Sequence, residues 1–286
     1  MEKHVALCPN PYRDTELRST MAAVDILNAA GIPWVISPVF KTSAPYPLDN
    51  INAVPLDQAV ENACLVVSFG GDGTILQTAH AAMKGSVPLI GVNLGTKGFM
   101  AELDSDELYM LPQAARGDYL PSIRMMLDVK LVRGGEVIYS DSALNDAVVS
   151  GVAHAVGISA KSDGQVITEY SGDGMIAATP TGSTAYSMSA GGPLVEPTAK
   201  NIILTPICPH ILAARSFVLA PDRLVTLRAD VLKGRRAVLS VDGLEPVDLL
   251  EGDEVCISRS EYVTTLAHVN SKSFYDIVYE KLSERK

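Results

Sequence analysis

The sequence predicts two domains, a doubly wound α/β domain built on a parallel sheet and then a β-rich domain, and three observations carry that reading. Short apolar runs alternate with helical segments from the start to about residue 103, the pattern of a parallel sheet wrapped by helices. Glycine-containing loops follow two of those runs directly. Beyond about residue 120 the chain becomes a series of strand-length segments separated by turn residues. A length of 286 residues supports two domains at roughly 100 to 200 residues each. It also suffices to bury a core without disulfide or metal staples.

Residues 5–8 form the first apolar run, and residues 14–30 the first helix, with Leu17, Met21, Val24 and Leu27 on one face and Gly31 as its stop. Trp34, Val35 and Ile36 make the next strand. Residues 64–69 are a continuous, mostly apolar strand that runs straight into Gly70-Gly71-Asp72-Gly73-Thr74, and residues 75–83 then take up a helical pattern. A further strand spans 88–92, and residues 93–100 leave its C-terminal end as the second glycine-containing loop. Both loops therefore sit at the carboxyl edge of the sheet, where open α/β sheets bind ligands. After a short helix at about 105–116, strands are expected at 125–133, 136–139, 143–150, 156–161 and 165–170. Gly134-Gly135 and Asp163-Gly164 are two-residue hairpin signals between them. Residues 237–241, the Asp242-Gly243 turn and residues 253–258 continue the β pattern, and 273–282 read as a short helix outside the β domain. The division is thus a Rossmann-like α/β domain over 1–120 and a β-rich domain over 121–265.

Composition narrows the function classes. Hydrophobic residues at 47% and charged residues at 20% describe a folded globular chain. A net charge of −10 opposes the basic surface that nucleic acid requires. Cys8, Cys64, Cys208 and Cys256 are far apart, with no zinc-type spacing, and point to a reducing, cytoplasmic setting. The opening residues lack the basic and apolar regions of a signal peptide, and the longest uncharged stretch, 174–195, is too rich in Gly, Ser, Thr and Pro for a bilayer, so no membrane span is expected.

A glycine turn between a strand and a helix lets the backbone approach an anion, and the helix N-terminus supplies positive potential. The 70–74 turn has that context, lacks the lysine of a P-loop, and adds a carboxylate. Asp72 can accept a proton or hydrogen bond from a hydroxyl, act through a divalent cation, or cap a helix starting near Thr74. A second cluster, 172–192, concentrates hydroxyls and glycines around a core strand at 175–178 and carries Tyr186, an aromatic able to pack on a base. It reads equally as a polar loop. Asn145-Asp146 opens another strand and reads on its own as an Asx turn. His80, His154 and His268 lack metal spacing, and the Cys208–His210 pair reads as packing.

Together these motifs resemble the NAD kinase family. The likeness rests on the 70–74 turn, Gly172-Asp173-Gly174 and the nine residues from Thr179 to Ser187, and extends through Gly91 to Gly95, Gly98-Phe99, Asn145-Asp146, Ala190 to Pro193, Leu204 to His210 and Val241-Asp242-Gly243. The turn alone is shared with lipid kinases and phosphofructokinases; the 179–187 segment makes the match specific. The resemblance implies a cytoplasmic, homo-oligomeric (dimeric or tetrameric) enzyme that moves the γ-phosphoryl of ATP, with Mg²⁺ and no tightly bound organic cofactor, onto the 2′-hydroxyl of the adenosine ribose of NAD. The substrate site would lie in the crevice between the domains, and about 266–286 would pack back on the first. It implies Asp72 as the catalytic carboxylate, with Gly71, Gly73 and Thr74 shaping the turn and Phe99 as a pocket aromatic. Asn145, Asp146, Asp173, Thr184, Ala185, Tyr186 and Ser189 would line the NAD site. Three positions depart from the family pattern: Asp146 where many relatives have Glu, Ser171 where some are basic, and Lys97 where an apolar residue is frequent. A lipid or sugar kinase would explain the first cluster alone, and a non-catalytic dinucleotide-binding protein would explain the pockets without Asp72.

Overall fold

The computed structural model describes residues 3–40, 53–95, 98–211, 213–230 and 235–283. The chain forms two compact units, Met1–Ile123 with Thr264–Lys286, and Arg124–Val263. These boundaries, against the expected 120 and 265, fall inside two long strands, Leu120–Arg133 and Glu254–His268, where no turn residue marks them.

In the first unit, β1 (His4–Pro9), β2 (Trp34–Ile36), β3 (Ala63–Gly70) and β4 (Leu89–Asn93) pair in the order β2-β1-β3-β4, all parallel. A two-residue strand, β5 (Leu103–Asp104), runs beside β4, and Leu266 pairs in parallel with Leu89. Val5, Leu7, Leu65, Val67, Phe69 and Val92 are fully buried, and Val24 and Leu27 of helix α1 (Arg18–Ala29) pack into the same core. Strands covered on both faces read as unbroken apolar runs, which is why these were legible.

Helix α1 begins four residues later than its apolar spacing suggests. The buried Asp14 carboxylate accepts the N–H groups of Ser19 and Thr20, each at 2.9 Å, and the Thr20 hydroxyl at 2.6 Å. A carboxylate that satisfies the open donors of the first turn fixes where the helix starts. The preceding residues Glu16 and Leu17 take left-handed φ values of 56° and 52° inside a 3₁₀ turn, Thr15–Leu17. Gly31, at φ +68°, ends the helix as its position predicts. Helix α2 (Leu56–Val60) precedes β3, and α3 (Asp72–Gly85) follows it. The helix expected at 105–116 is a 3₁₀ turn, Leu108–Met110, and then α4 (Leu111–Ala115), with Pro112 in its first turn, where its missing N–H costs nothing.

The second unit holds two antiparallel sheets. Beyond β6 (Leu120–Arg133), the hairpin to β7 (Glu136–Ala143) turns through Gly134 and Gly135 at φ 59° and 87°. Next come β8 (Asp146–Gly151), β9 (Val156–Ser162) and β10 (Gln165–Gly172), the last two joined through Asp163 and Gly164 at φ 49° and 80°. Positive φ at both turn residues is what a two-residue hairpin demands. The remaining elements are β11 (Gly174–Ala178), α5 (Tyr186–Ser189), β12 (Ile202–Ile207), β13 (Phe217–Leu219), β14 (Val225–Asp230), β15 (Ala237–Val241), β16 (Val247–Leu249) and β17 (Glu254–His268). One sheet runs β13-β12-β11-β8-β15-β16, and β10, β9, β14 and β17 are consecutive in the other. A single core draws Ala147, Val149, Met175, Ala177 and Leu204 from the first and Leu127, Ile158, Leu227 and Ile257 from the second.

The chain then returns to the first unit and ends in α6 (Phe274–Ser283). Glu102 fastens this return: its carboxylate accepts the N–H groups of Val269 at 2.7 Å and Asn270 at 2.8 Å and lies 2.8 Å from His268 Nδ1. No helix among the described residues is long and apolar enough to cross a membrane.

Candidate functional site

The carboxyl ends of β1, β3 and β4 lie side by side, since all three strands run parallel in one register. At the end of β3, Gly71 is the N-cap of α3 and Asp72 its first residue, so the helix starts two residues before Thr74. This removes the capping reading of Asp72. Its carboxylate turns to the loop after β4 and accepts the N–H groups of Phe99 at 2.8 Å and Met100 at 3.1 Å. Gly98 is required by that approach, because a Cβ there would stand 1.9 Å from Asp72 Oδ1. Asp72 thus acts as the joint between the two glycine-containing loops. Thr74 is buried and its Oγ1 accepts Asn10 Nδ2 at 3.0 Å, which ties the turn to the end of β1. Gly71 and Gly73 have open space where a side chain would stand, beside the first turn of α3, whose leading N–H groups have no acceptor within the helix. Phe99 is partly buried, with Lys281 Nζ of α6 4.4 Å from its ring centroid. Lys97 lies outside the described residues.

In the second unit, Asn145 and Asp146 sit where β7 gives way to β8. The strand expected from 143 starts at Asp146 because the N–H groups of Leu144, Asn145 and Asp146 donate to one carboxylate, Asp242, at 2.7, 2.8 and 3.0 Å. The 179–184 segment packs against the same corner: Thr179 donates its N–H to Asn145 O at 2.8 Å and its hydroxyl to Leu144 O at 2.5 Å. Thr184 is buried, with its hydroxyl on Thr181 O at 3.1 Å. Ala185 is half-buried between the 3₁₀ turn Gly182–Thr184 and α5, while Tyr186 is 47% exposed and Ser189 exposed. Asn145 Oδ1 and Thr181 Oγ1 are buried with no hydrogen-bond partner. Buried oxygens without donors are uncommon and call for a partner, a water or a ligand group.

Asp173 does not join this corner. Its neighbour Gly174 pairs with Ser150 at one end of β11, whereas Ala178 pairs with Asp146 at the other. Five residues of extended chain at ~3.4 Å each separate Asp173 from Ala178 by about 17 Å. Asp173 is exposed and hydrogen-bonded by the Cys208 thiol, whose pKa that bond and the carboxylate's charge push up. Cys208 is therefore not in a setting that favours thiolate. Among the described residues no three His, Cys, Asp or Glu side chains gather as a metal site.

Asp242 is the residue that sequence reasoning misses, because Asp-Gly between β segments reads as a turn. The turn is there, with Asp242 at φ 49° and Gly243 at φ 70°, but the side chain points back to serve three backbone donors. Burial first, and then repulsion from Asp242, raises the Asp146 pKa to about 7. The sign follows directly. Between the unfolded value of 3.8 and about 7 the folded state holds a proton that the unfolded state has lost, so stability falls as pH rises through that window. Asp146→Asn is expected to gain stability relative to the native protein as pH goes from 4 to 8, by on the order of a few kcal/mol. Urea denaturation at both pH values measures this, and a difference independent of pH would contradict it.

Comparison with known proteins covers both units. The ATP-NAD kinase N-terminal domain model matches residues 16–116, and the ATP-NAD kinase C-terminal domain model matches residues 143–269. The chain is 34% identical over 284 residues to an NAD kinase of Acetivibrio thermocellus, covering 98% of this chain and 97% of the relative. It is 40% identical over 234 residues to that of Symbiobacterium thermophilum, covering 81% and 82%. Among solved structures, yeast NADH kinase complexed with NADH superposes with a TM-score of 0.83 at 25% identity, over 99% of this chain and 87% of that one. An Archaeoglobus fulgidus NAD kinase in complex with ATP shares the fold with a TM-score of 0.73 at 22% identity, over 98% of each chain.

Proposed function

The chain belongs to the NAD kinase family, and from that premise we propose that it transfers the γ-phosphoryl group of ATP to the 2′-hydroxyl of the adenosine ribose of NAD, producing NADP. The observation that carries the reading is that both family domains match, one containing the Asp72 turn and the other Asn145, Asp146 and the 179–189 segment. The yeast relative's NADH and the archaeal relative's ATP supply the two substrate classes.

In this reading Asp72 orients the 2′-hydroxyl and accepts its proton. Two of its lone pairs are committed to Phe99 and Met100, which fixes the carboxylate, and the others remain for the hydroxyl. Because phosphoryl transfer passes through a loose transition state, positioning and charge neutralisation supply most of the acceleration. The first turn of α3 meets the donor's phosphates through its N–H groups. Mg²⁺ bound with ATP would supply neutralisation of the phosphate charge. Asn93 Oδ1, buried without a hydrogen-bond partner at the end of β4, is a hard oxygen donor of the kind that ion takes. The unpartnered oxygens of Asn145 and Thr181 receive NAD donors, and the exposed ring of Tyr186 packs on a base. The test is incubation of the protein with Mg-ATP and NAD, coupled to an NADP-specific dehydrogenase. A signal above the enzyme-free blank supports the reading, and none with any of several phosphoryl donors overturns it.

A further inference from the structure

A triphosphate donor brings several negative charges to the carboxyl edge of the first unit, and the 70–74 turn itself holds no cation to meet them. The loop after β1 supplies one. Asn10, only 9% exposed, organises that loop: its N–H donates to Phe69 O at 2.9 Å and its Nδ2 to Thr74 Oγ1 at 3.0 Å. Its Oδ1 accepts the Tyr12 N–H at 3.0 Å, and its main-chain oxygen accepts those of Arg13 at 3.0 Å and Asp14 at 2.8 Å. Asp14 is in turn bonded to the first turn of α1. Both ends of the loop are thereby fixed to the scaffold, one of them on the catalytic turn.

Arg13 is the charged side chain this loop leaves outward, next to the exposed Tyr12. It is exposed, its Nη1 stands 3.8 Å from where a Cβ on Gly95 would be, and among the described residues no carboxylate pairs with it. Elsewhere among the described residues, Arg18, Arg133, Arg223, Arg228 and Arg236 each set the guanidinium against a carboxylate. Arg13 instead carries its charge over the loop that also holds Asp72 through Phe99 and Met100.

We propose that Arg13 binds the polyphosphate of the nucleoside triphosphate donor, and that Asn10 is the positioning residue that holds it against the 70–74 turn. This rests on the phosphotransfer reading above. A guanidinium presents two parallel N–H donors to two phosphate oxygens, which a lysine cannot reproduce as a fork. The rigid loop pays in advance the ordering that a flexible arginine would lose on binding.

The test uses Arg13→Ala, Arg13→Lys and Asn10→Ala in the full chain, each first confirmed to unfold cooperatively. With NAD saturating and Mg-ATP varied, Arg13→Ala is expected to lose about 10- to 100-fold in kcat/KM for ATP, the span of one charge-assisted contact. Its Kd for NAD by calorimetry stays within about twofold of native. Arg13→Lys recovers part of the loss, because the charge is kept and the fork is not. Asn10→Ala loses several-fold in the same parameter, and adding it to Arg13→Ala changes little, since both act through one contact. Arg13→Ala with native kcat/KM for ATP, or with equal losses toward ATP and NAD, overturns the proposal. Titrating Mg-ATP without NAD decides it independently of turnover: weaker binding to Arg13→Ala supports it, and equal binding contradicts it even in a protein that forms no NADP.

Discussion

Asp72→Asn is expected to fold, to bind NAD, and to lose at least ~10²-fold in turnover, the lower range for a missing acid–base group. The amide keeps one acceptor oxygen for the N–H groups of Phe99 and Met100, so the cost in stability is that of one lost charge-assisted bond, about 1–3 kcal/mol. These two effects separate the roles of the carboxylate. If its only task were to join the two loops, the variant would melt lower and turn over normally at a temperature where it is folded. Steady-state rates and a melting curve on the same preparation give both values, and near-native turnover would return Asp72 to a structural part.

The second large effect is expected at Asp242. Asp242→Ala leaves the N–H groups of Leu144, Asn145 and Asp146 without their acceptor and is expected to cost about 3–4 kcal/mol, somewhat offset by relief of the repulsion on Asp146. Asp242→Asn restores one acceptor oxygen and should cost less than half as much. It also removes the smaller of the two causes that raise Asp146, whose titration should move below about 7 while burial keeps it above the ordinary carboxylate range. Urea denaturation of both variants and carboxyl titration of Asp242→Asn are the measurements. Native stability in Asp242→Ala would mean that water replaces the carboxylate at no cost.

What the sequence made legible was periodic or local. Strands β1, β3 and β4 show as apolar runs because they are covered on both faces, and the Gly-Gly and Asp-Gly hairpins show because positive φ selects those residues. The carboxyl-edge position of the two glycine-containing loops follows from parallel pairing and is present in the structure. What was hidden is non-local. Asp72 looks like a cap in its own neighbourhood, and the N–H groups that claim it lie 27 and 28 residues away. Asp242 looks like a turn residue, and its donors are 96 to 98 residues distant. Asp173 and Asp146 are near in motif order but stand at opposite ends of β11, a separation set by strand length that no spacing rule supplies. Asp14 shifts the start of α1 by a hydrogen bond that apolar periodicity does not register. The resemblance to a family named the pocket residues, and the structure adds which of them share a corner and which buried oxygens in it lack partners.

The most direct test of the central claim is the identity of the phosphorylated product. Phosphorus NMR of NAD incubated with the native protein and Mg-ATP is expected to reveal a new phosphomonoester on the 2′-hydroxyl of the adenosine ribose, formed one for one with ADP and nearly absent with Asp72→Asn. ADP and free phosphate with NAD unchanged, or a phosphate on any other hydroxyl, would contradict the account.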